Sequence, residues 1–326
     1  PYTTLFRSPP EPASVRAERL HTHKPKRFLE ATYSQYRVVL EDHPAFHFRL
    51  DVMVPPGDGP FPCVLTGDGC YRFAGDELTL ELMERRIALA IFSRTAIVPD
   101  VYSNERVTGL YEVYPDGTYG ALATWAWGYH RCVDVLTALH GIDAEAIGVV
   151  GHSRGGKTAL LAGATDERIA VTAPNGSGSG GAGCYTYQGP ESETLADTKR
   201  MIPYWFGPEL WQYVDRIDEM PFDQHFLKAL VAPRALVSTE GLDDLWSNPS
   251  GTYQSYAAAR EVYRFLGAPD NIGIWYRPGG HDHGLADWHA FLDFFEWKVR
   301  GTVPQTRFDE NPYPDMDLAF PWRAPV

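Results

Sequence analysis

The sequence predicts an α/β fold in which a mostly parallel central sheet carries helices on both faces, a three-layer sandwich. Three observations predict it. The β-branched run Ile147-Gly148-Val149-Val150 leads into Gly151-His152-Ser153-Arg154-Gly155 and then into the small, helix-compatible stretch 158–164. Strand, turn and helix around Gly-x-Ser-x-Gly are the setting of a nucleophile elbow. Short apolar strands alternate with helical segments through the middle of the chain, which implies a buried parallel sheet. A serine, an acid and a histidine follow in the order used by the α/β-hydrolase fold, the last two each on a turn after a strand.

Taken in order, residues 1–30 are polar and Pro-rich and are expected to form a loosely held arm, leaving one domain from 31 to 326. Alternation over 36–41 and 46–54 suits an antiparallel edge pair closed by Pro55-Pro56-Gly57. Apolar runs at 62–66 and 87–93 read as short strands around a helix at 76–86. A Tyr-, Gly- and Pro-rich loop fills 95–118 before a long helix over 119–140. The elbow strand (146–151), its helix and a strand at 169–173 follow. From 175 to 228 a Gly-Ser tract and an aromatic, acidic segment break the pattern, and insertions of that length in compact domains are usually functional. Strands at 235–240 and 272–276, with a helix at 255–266 between them, complete the sheet.

Of the 326 residues 44% are hydrophobic and 13% aromatic, enough for a sizeable core and a surplus of rings suited to a carbohydrate or aryl surface. A net charge of −13 without any Lys/Arg block argues against a nucleic-acid partner, and no membrane-spanning stretch is present. The first residues, Pro1-Tyr2-Thr3-Thr4, show neither Met nor a charged-then-apolar leader, so a processed or trimmed chain or a gene fragment is expected. Cys63, Cys70, Cys132 and Cys184 lack metal-finger spacing; Cys63 and Cys132 suit buried thiols, and a Cys63–Cys70 disulfide is the alternative for that pair. No cofactor is expected.

A serine hydroxyl needs a base, and the base an orienting carboxylate. Ser153 is the candidate nucleophile, with a buried helix-capping serine as the structural alternative. The turn Gly279-Gly280-His281-Asp282-His283 offers His281 as base and His283 as rival, and Gly241-Leu242-Asp243-Asp244 offers Asp244 or Asp243 as acid. One His-x-His pair with Asp282 is too short a set for a metal site. Arg154, at the start of the elbow helix, brings a backbone N–H and a charged side chain to a developing oxyanion. Lys157 lies one helical turn above Ser153. Two cations beside the nucleophile suggest a polar, oxygen-rich substrate; pairing with local carboxylates is the plainer explanation for either.

Gly151 to Lys157, together with Trp125-Ala126-Trp127-Gly128, Ser177-Gly178-Ser179-Gly180-Gly181-Ala182, Ala232-Pro233-Arg234, Asp244-Leu245-Trp246 and Arg277-Pro278-Gly279-Gly280-His281-Asp282, resembles the glucuronoyl esterases of carbohydrate esterase family 15, especially their bacterial branch. The likeness runs from about 120 to 297. It implies an α/β-hydrolase fold and a serine esterase acting on esters of (4-O-methyl-)glucuronic acid, as in lignin–carbohydrate linkages, with Ser153 as nucleophile, His281 as base and Arg154 as oxyanion stabiliser. It further implies that Lys157, Glu193 and Trp246 meet the sugar, with Glu191 a nearby alternative to Glu193, that the partner is a glucuronoxylan-derived ester, and that the protein is secreted or periplasmic. A carboxylesterase or acetyl esterase acting on another polar glycan or aryl ester is the competing enzyme, and a non-catalytic carbohydrate-binding relic the competing class. Three departures stand out. Gly176 occupies a position where many relatives carry a catalytic glutamate, so the acid comes from elsewhere, and Asp244, which some bacterial members use, fits. His152 replaces the fungal cysteine before the nucleophile. Gly67-Asp68-Gly69-Cys70-Tyr71-Arg72 does not follow the pattern expected after its strand.

Overall fold

A computed structural model describes residues 7–71, 74–101 and 108–325. Residues 1–6 of the expected arm, Arg72, and 102–107 of the expected 95–118 loop lie outside the described residues. The strands are β1 (Val15–His23), β2 (Thr32–Leu40), β3 (His47–Val54), β4 (Phe61–Thr66), β5 (Ala88–Phe92), β6 (Ile142–His152), β7 (Val171–Asn175), β8 (Ala235–Gly241) and β9 (Ile272–Arg277). They form one sheet in the order β1-β2-β3-β5-β4-β6-β7-β8-β9. Pairing is antiparallel from β1 through β3 to β5 and parallel from β5 to β9. Functional loops therefore gather where the parallel strands end, as in open α/β sheets generally.

The helices used below are α1 (Asp76–Glu84), α2 (Ala121–Leu136), α3 (Arg154–Thr165), α4 (Leu195–Met201), α5 (Gln224–Ala229), α6 (Pro249–Phe265) and α7 (Leu285–Arg300). One face of the sheet shares a core with α2, α3 and α6 through Trp125, Trp127, Leu160 and Tyr263. The other is covered by α1 and α7 through Leu78, Leu82, Phe291 and Phe295. This is the three-layer α/β-hydrolase arrangement that the alternating strands and helices imply.

Three elements differ from the sequence reading. The expected loose arm contains strand β1, laddered to β2 from Val15↔Leu40 to His23↔Tyr33 with an irregularity between Arg19 and His21. Its side chains are mostly exposed, so no apolar alternation marks it; backbone hydrogen bonds hold it in place. Helix α6 begins at Pro249 rather than 255, because Asn248 accepts the Gly251 N–H on its side chain and Pro249 supplies a first-turn residue with no N–H to satisfy. Helix α7 was not read at all, although Trp288, Phe291, Leu292 and Phe295 recur at helical spacing and are buried.

The 175–228 segment is ordered because its apolar side chains join the core on the face of α2, α3 and α6. Trp205, Phe206 and Leu210 are buried, and Thr194 caps α4 with a reciprocal Asp197 bond. Gly120 lets α2 start against this segment, since a Cβ there would come 2.3 Å from the Trp205 carbonyl oxygen. All four cysteines are free, so Cys63 and Cys70 are not bridged.

Candidate active site

Strand β6 delivers Ser153 to a turn with φ 57° and ψ −123°, a left-handed conformation that a non-glycine residue holds only when its surroundings fix it. The flanking glycines are required by close approach. A Cβ at Gly151 would lie 2.3 Å from the Gly155 carbonyl oxygen, and one at Gly155 would lie 2.1 Å from Asp68 Oδ1. The crowding thus comes from the elbow's own backbone and from a carboxylate.

Ser153 Oγ lies 3.0 Å from His281 Nε2, and His281 Nδ1 lies 2.6 Å from Asp244 Oδ2. Ser247 Oγ is also 3.1 Å from Nδ1 and donates to the Gly176 carbonyl at 3.2 Å. Asp244 is 5% exposed. Burial favours its neutral form, but hydrogen bonds from His281 and Ser247 prevail and hold its carboxyl below the usual range. Asp243, the other acid considered, faces solvent and accepts the Gly279 N–H at 2.8 Å. His283 stacks on Trp288 and on His152, centroids 4.8 and 5.7 Å apart. The glycine at 176 (φ 47°) lies beside this group, since a Cβ there would be 3.4 Å from Asp244 Oδ2. Among the described residues no His/Cys/Asp/Glu cluster is arranged to hold a metal.

Arg154 does not stand free beside the serine. Its Nη1 donates to Asp100 Oδ2 at 2.8 Å, and its guanidinium lies 4.7 Å from the Trp205 ring and 5.8 Å from the Tyr71 ring. Asp100 Oδ1 in turn accepts from Tyr204 Oη at 2.9 Å and Trp205 Nε1 at 3.1 Å, while Tyr71 Oη donates to Oδ2 at 3.3 Å. Burial opposes the Asp100 charge, but Arg154 outweighs it and the carboxyl sits below its usual range. Asp100 was missed in the sequence, where nothing links it locally to residues some fifty and a hundred positions away.

Lys157, Glu193 and Trp246 meet one another. Lys157 Nζ donates to Glu193 Oε2 at 2.9 Å and to the Ser179 carbonyl at 2.5 Å, and the Glu193 N–H donates to the Trp246 carbonyl at 3.0 Å. Lys157 and Glu193 are both buried, whereas the Trp246 side chain is exposed. Glu191, the alternative to Glu193, is exposed. A cleft of about 180 Å³ opens over Ser153, Arg154 and His281, with Asp68, Tyr71 and Arg94 on its walls.

A mostly parallel sheet with a serine on a strained turn at the end of β6, and a histidine and an aspartate from the turns after β9 and β8, defines an α/β-hydrolase-fold protein of the serine-hydrolase type. The chain matches the family described as fungal glucuronyl esterase over residues 38–267, and it belongs to the glucuronoyl esterase family. A 4-O-methyl-glucuronoyl methylesterase of Podospora anserina is 34% identical, aligned over 97% of this chain and 66% of that protein. One from Sodiomyces alcalophilus is 35% identical over 73% of this chain and 52% of that protein, so the chain spans between half and two thirds of these relatives' length. Among solved structures, a family 15 glucuronoyl esterase from Caldicellulosiruptor kristjansonii superposes with a TM-score of 0.82 at 28% identity, covering 98% of this chain and 88% of that one. A serine-to-alanine mutant of the Sporotrichum thermophile glucuronoyl esterase, in complex with methyl 4-O-methyl-beta-D-glucopyranuronate, superposes with a TM-score of 0.74 at 26% identity, covering 94% and 82%.

Proposed function

We propose that this protein is a serine esterase that hydrolyses esters of (4-O-methyl-)glucuronic acid, as in lignin–carbohydrate linkages, with glucuronoxylan-derived esters as its substrate class. The observation that carries the reading is the unbroken hydrogen-bonded line from Ser153 through His281 to Asp244. The relatives named as 4-O-methyl-glucuronoyl methylesterases, and the Sporotrichum enzyme bound to a methyl glucuronate ester, support the substrate class.

In this reading His281 Nε2 takes the Ser153 hydroxyl proton as Oγ attacks the ester carbonyl carbon. Asp244 holds Nδ1–H, which fixes the tautomer and stabilises the imidazolium that forms. The carbonyl oxygen becomes an oxyanion in front of the Arg154 backbone N–H and guanidinium, at the N-terminus of α3 where the helix dipole favours negative charge. Collapse breaks the bond to the alcohol oxygen, which leaves with the proton from His281. Water then gives its proton to His281 and attacks the acyl-enzyme, releasing the uronic acid and restoring Ser153. The reading assigns sugar hydroxyls to Lys157 and Glu193, a buried pair whose charges balance, and the pyranose face to the exposed Trp246 ring.

The test compares turnover of the methyl ester of 4-O-methyl-glucuronic acid with that of p-nitrophenyl acetate. A strong kcat/KM preference for the glucuronate ester, abolished in Ser153→Ala, is the expected result. Equal or better turnover of the acetate would assign the site to general ester hydrolysis.

A further inference from the structure

We propose that the buried pair Asp68–Arg94 is part of the machinery of this site: Asp68 fixes the elbow that carries Ser153, and Arg94 is the positioning residue that keeps this carboxylate from opposing the oxyanion. The inference rests on the proposed reaction at Ser153.

Asp68 follows β4 and reaches the serine turn from beside it. Its Oδ2 accepts the backbone N–H of His152 at 2.8 Å, one residue before the nucleophile, and only a glycine at 155 leaves room for Oδ1. A carboxylate here tethers the turn through an ionic hydrogen bond, stronger than a neutral acceptor would make. It also carries a cost. Asp68 lines the cleft above Ser153, where negative charge grows as the ester is attacked, and its side chain is only 7% exposed, so water does little to screen it.

Arg94 answers that cost. Its Nη1 donates to Asp68 Oδ1, and its side chain is 2% exposed. The guanidinium lies 5.2 Å from the Tyr71 ring and 5.3 Å from the Trp125 ring, and its backbone N–H holds the Gly67 carbonyl at 3.0 Å. The cation is therefore fixed at the carboxylate. Asp68 and Arg94 together carry no net charge. Losing the Arg94 cation leaves the carboxylate less compensated, so that it either opposes the oxyanion more strongly or takes up a proton and makes a weaker bond to His152. Both outcomes slow attack while leaving sugar contacts alone.

A double-variant cycle tests this, with kcat and KM measured on the methyl ester of 4-O-methyl-glucuronic acid and thermal melting checked for each protein. Arg94→Met should lower kcat about a hundredfold, the scale of losing an oxyanion donor, with KM within about twofold. Asp68→Asn in the Arg94→Met background should recover at least about tenfold of that loss, because the amide oxygen still accepts the His152 N–H without a charge. A purely structural pair predicts that the double variant regains melting temperature without a matching gain in kcat of the folded protein. Arg94→Lys, which keeps a cation, should stay within about tenfold of wild type, and it serves if Arg94→Met does not fold. A double variant no faster than Arg94→Met, a folded Arg94→Lys as slow as expected for Arg94→Met, or wild-type kcat in Arg94→Met would each overturn the inference. Inactivation by diethyl p-nitrophenyl phosphate reads the nucleophile separately. Undiminished inactivation of Ser153→Ala removes the proposed reaction, whereas a resistant Ser153→Ala beside an Arg94→Met protein of wild-type speed removes only the role given to Arg94.

Discussion

Replacing Asp100 by alanine separates the anchoring of Arg154 from the chemistry at Ser153. Asp100 accepts four donors at once, from Arg154, Tyr204, Trp205 and Tyr71, with its side chain only 3% exposed. Trp205 is 4% exposed, so losing its acceptor strands a buried indole N–H, a loss of about 1–3 kcal/mol. The Arg154 side chain is 35% exposed, and its ion pair adds about 1 kcal/mol at most once solvent screening is counted. Together these come to about 1–4 kcal/mol. For a chain of this length, with an unfolding entropy of about 0.7 kcal/mol/K, the melting temperature should fall by about 1–6 °C.

The catalytic loss has a different origin. A freed Arg154 regains rotamer freedom of up to about 2 kcal/mol, which must be given up again in the transition state. That corresponds to a fall in kcat of up to about thirtyfold, with little change in KM. Steady-state kinetics on a glucuronate methyl ester and on p-nitrophenyl acetate, beside a calorimetric melt, supply both readouts. The drop should appear with both esters, because the oxyanion is common to them. If Asp100→Ala melts lower as expected but keeps wild-type kcat on both, then Arg154 is not oriented for the reaction by Asp100 and its proposed oxyanion role fails with it.

Ser153→Ala should lose at least about a thousandfold in kcat while melting like wild type, since the acyl-enzyme route disappears; retained turnover in the folded variant would be the contrary result. Asp244→Asn should be far more damaging to kcat than Asp243→Asn, because only Asp244 touches His281, whereas Asp243 holds the Gly279 turn. Lys157→Met should raise KM for glucuronate esters more than for p-nitrophenyl acetate and also cost about 3–5 kcal/mol in urea unfolding, because it leaves Glu193 buried without its cation. Asp100 and Asp244 both have lowered pKa values in the folded protein, so each contributes stability that is fully present above its unfolded value, about 3.9, and is lost as pH falls through the folded value. Asp100→Asn should therefore lower stability by a constant amount at neutral pH and shrink the decline below about pH 4, as read from urea midpoints across pH 2.5–8.

The strands that the sequence made legible are the ones buried on both faces. β4, β6 and β8 read as apolar runs because the parallel sheet lies between two helical layers, and β6 announces the elbow through its glycines. Strand β1 was invisible for the opposite reason: an edge strand held by its ladder needs no apolar pattern. The same distinction runs through the site. Ser153, Asp244 and His281 were readable because a nucleophile elbow and the turns after successive strands impose an order along the chain. Asp68, Arg94 and Asp100 carry no such mark. They come from the turn after β4 and from the segment after β5, and they meet the elbow because β5, β4 and β6 are neighbours in the sheet although β4 and β6 are far apart in the chain. Lys157 shows how little a position on a helix says about what a side chain meets. One turn above Ser153, it was placed on the substrate, yet in the fold its ammonium is enclosed by Glu193 and the Ser179 carbonyl. Any contact it makes with a sugar is therefore made by a group already neutralised, which favours hydrogen bonding to hydroxyls over attraction of a free carboxylate. On the proposed reaction, that charge balance selects for the ester over the acid it becomes and eases release of the product.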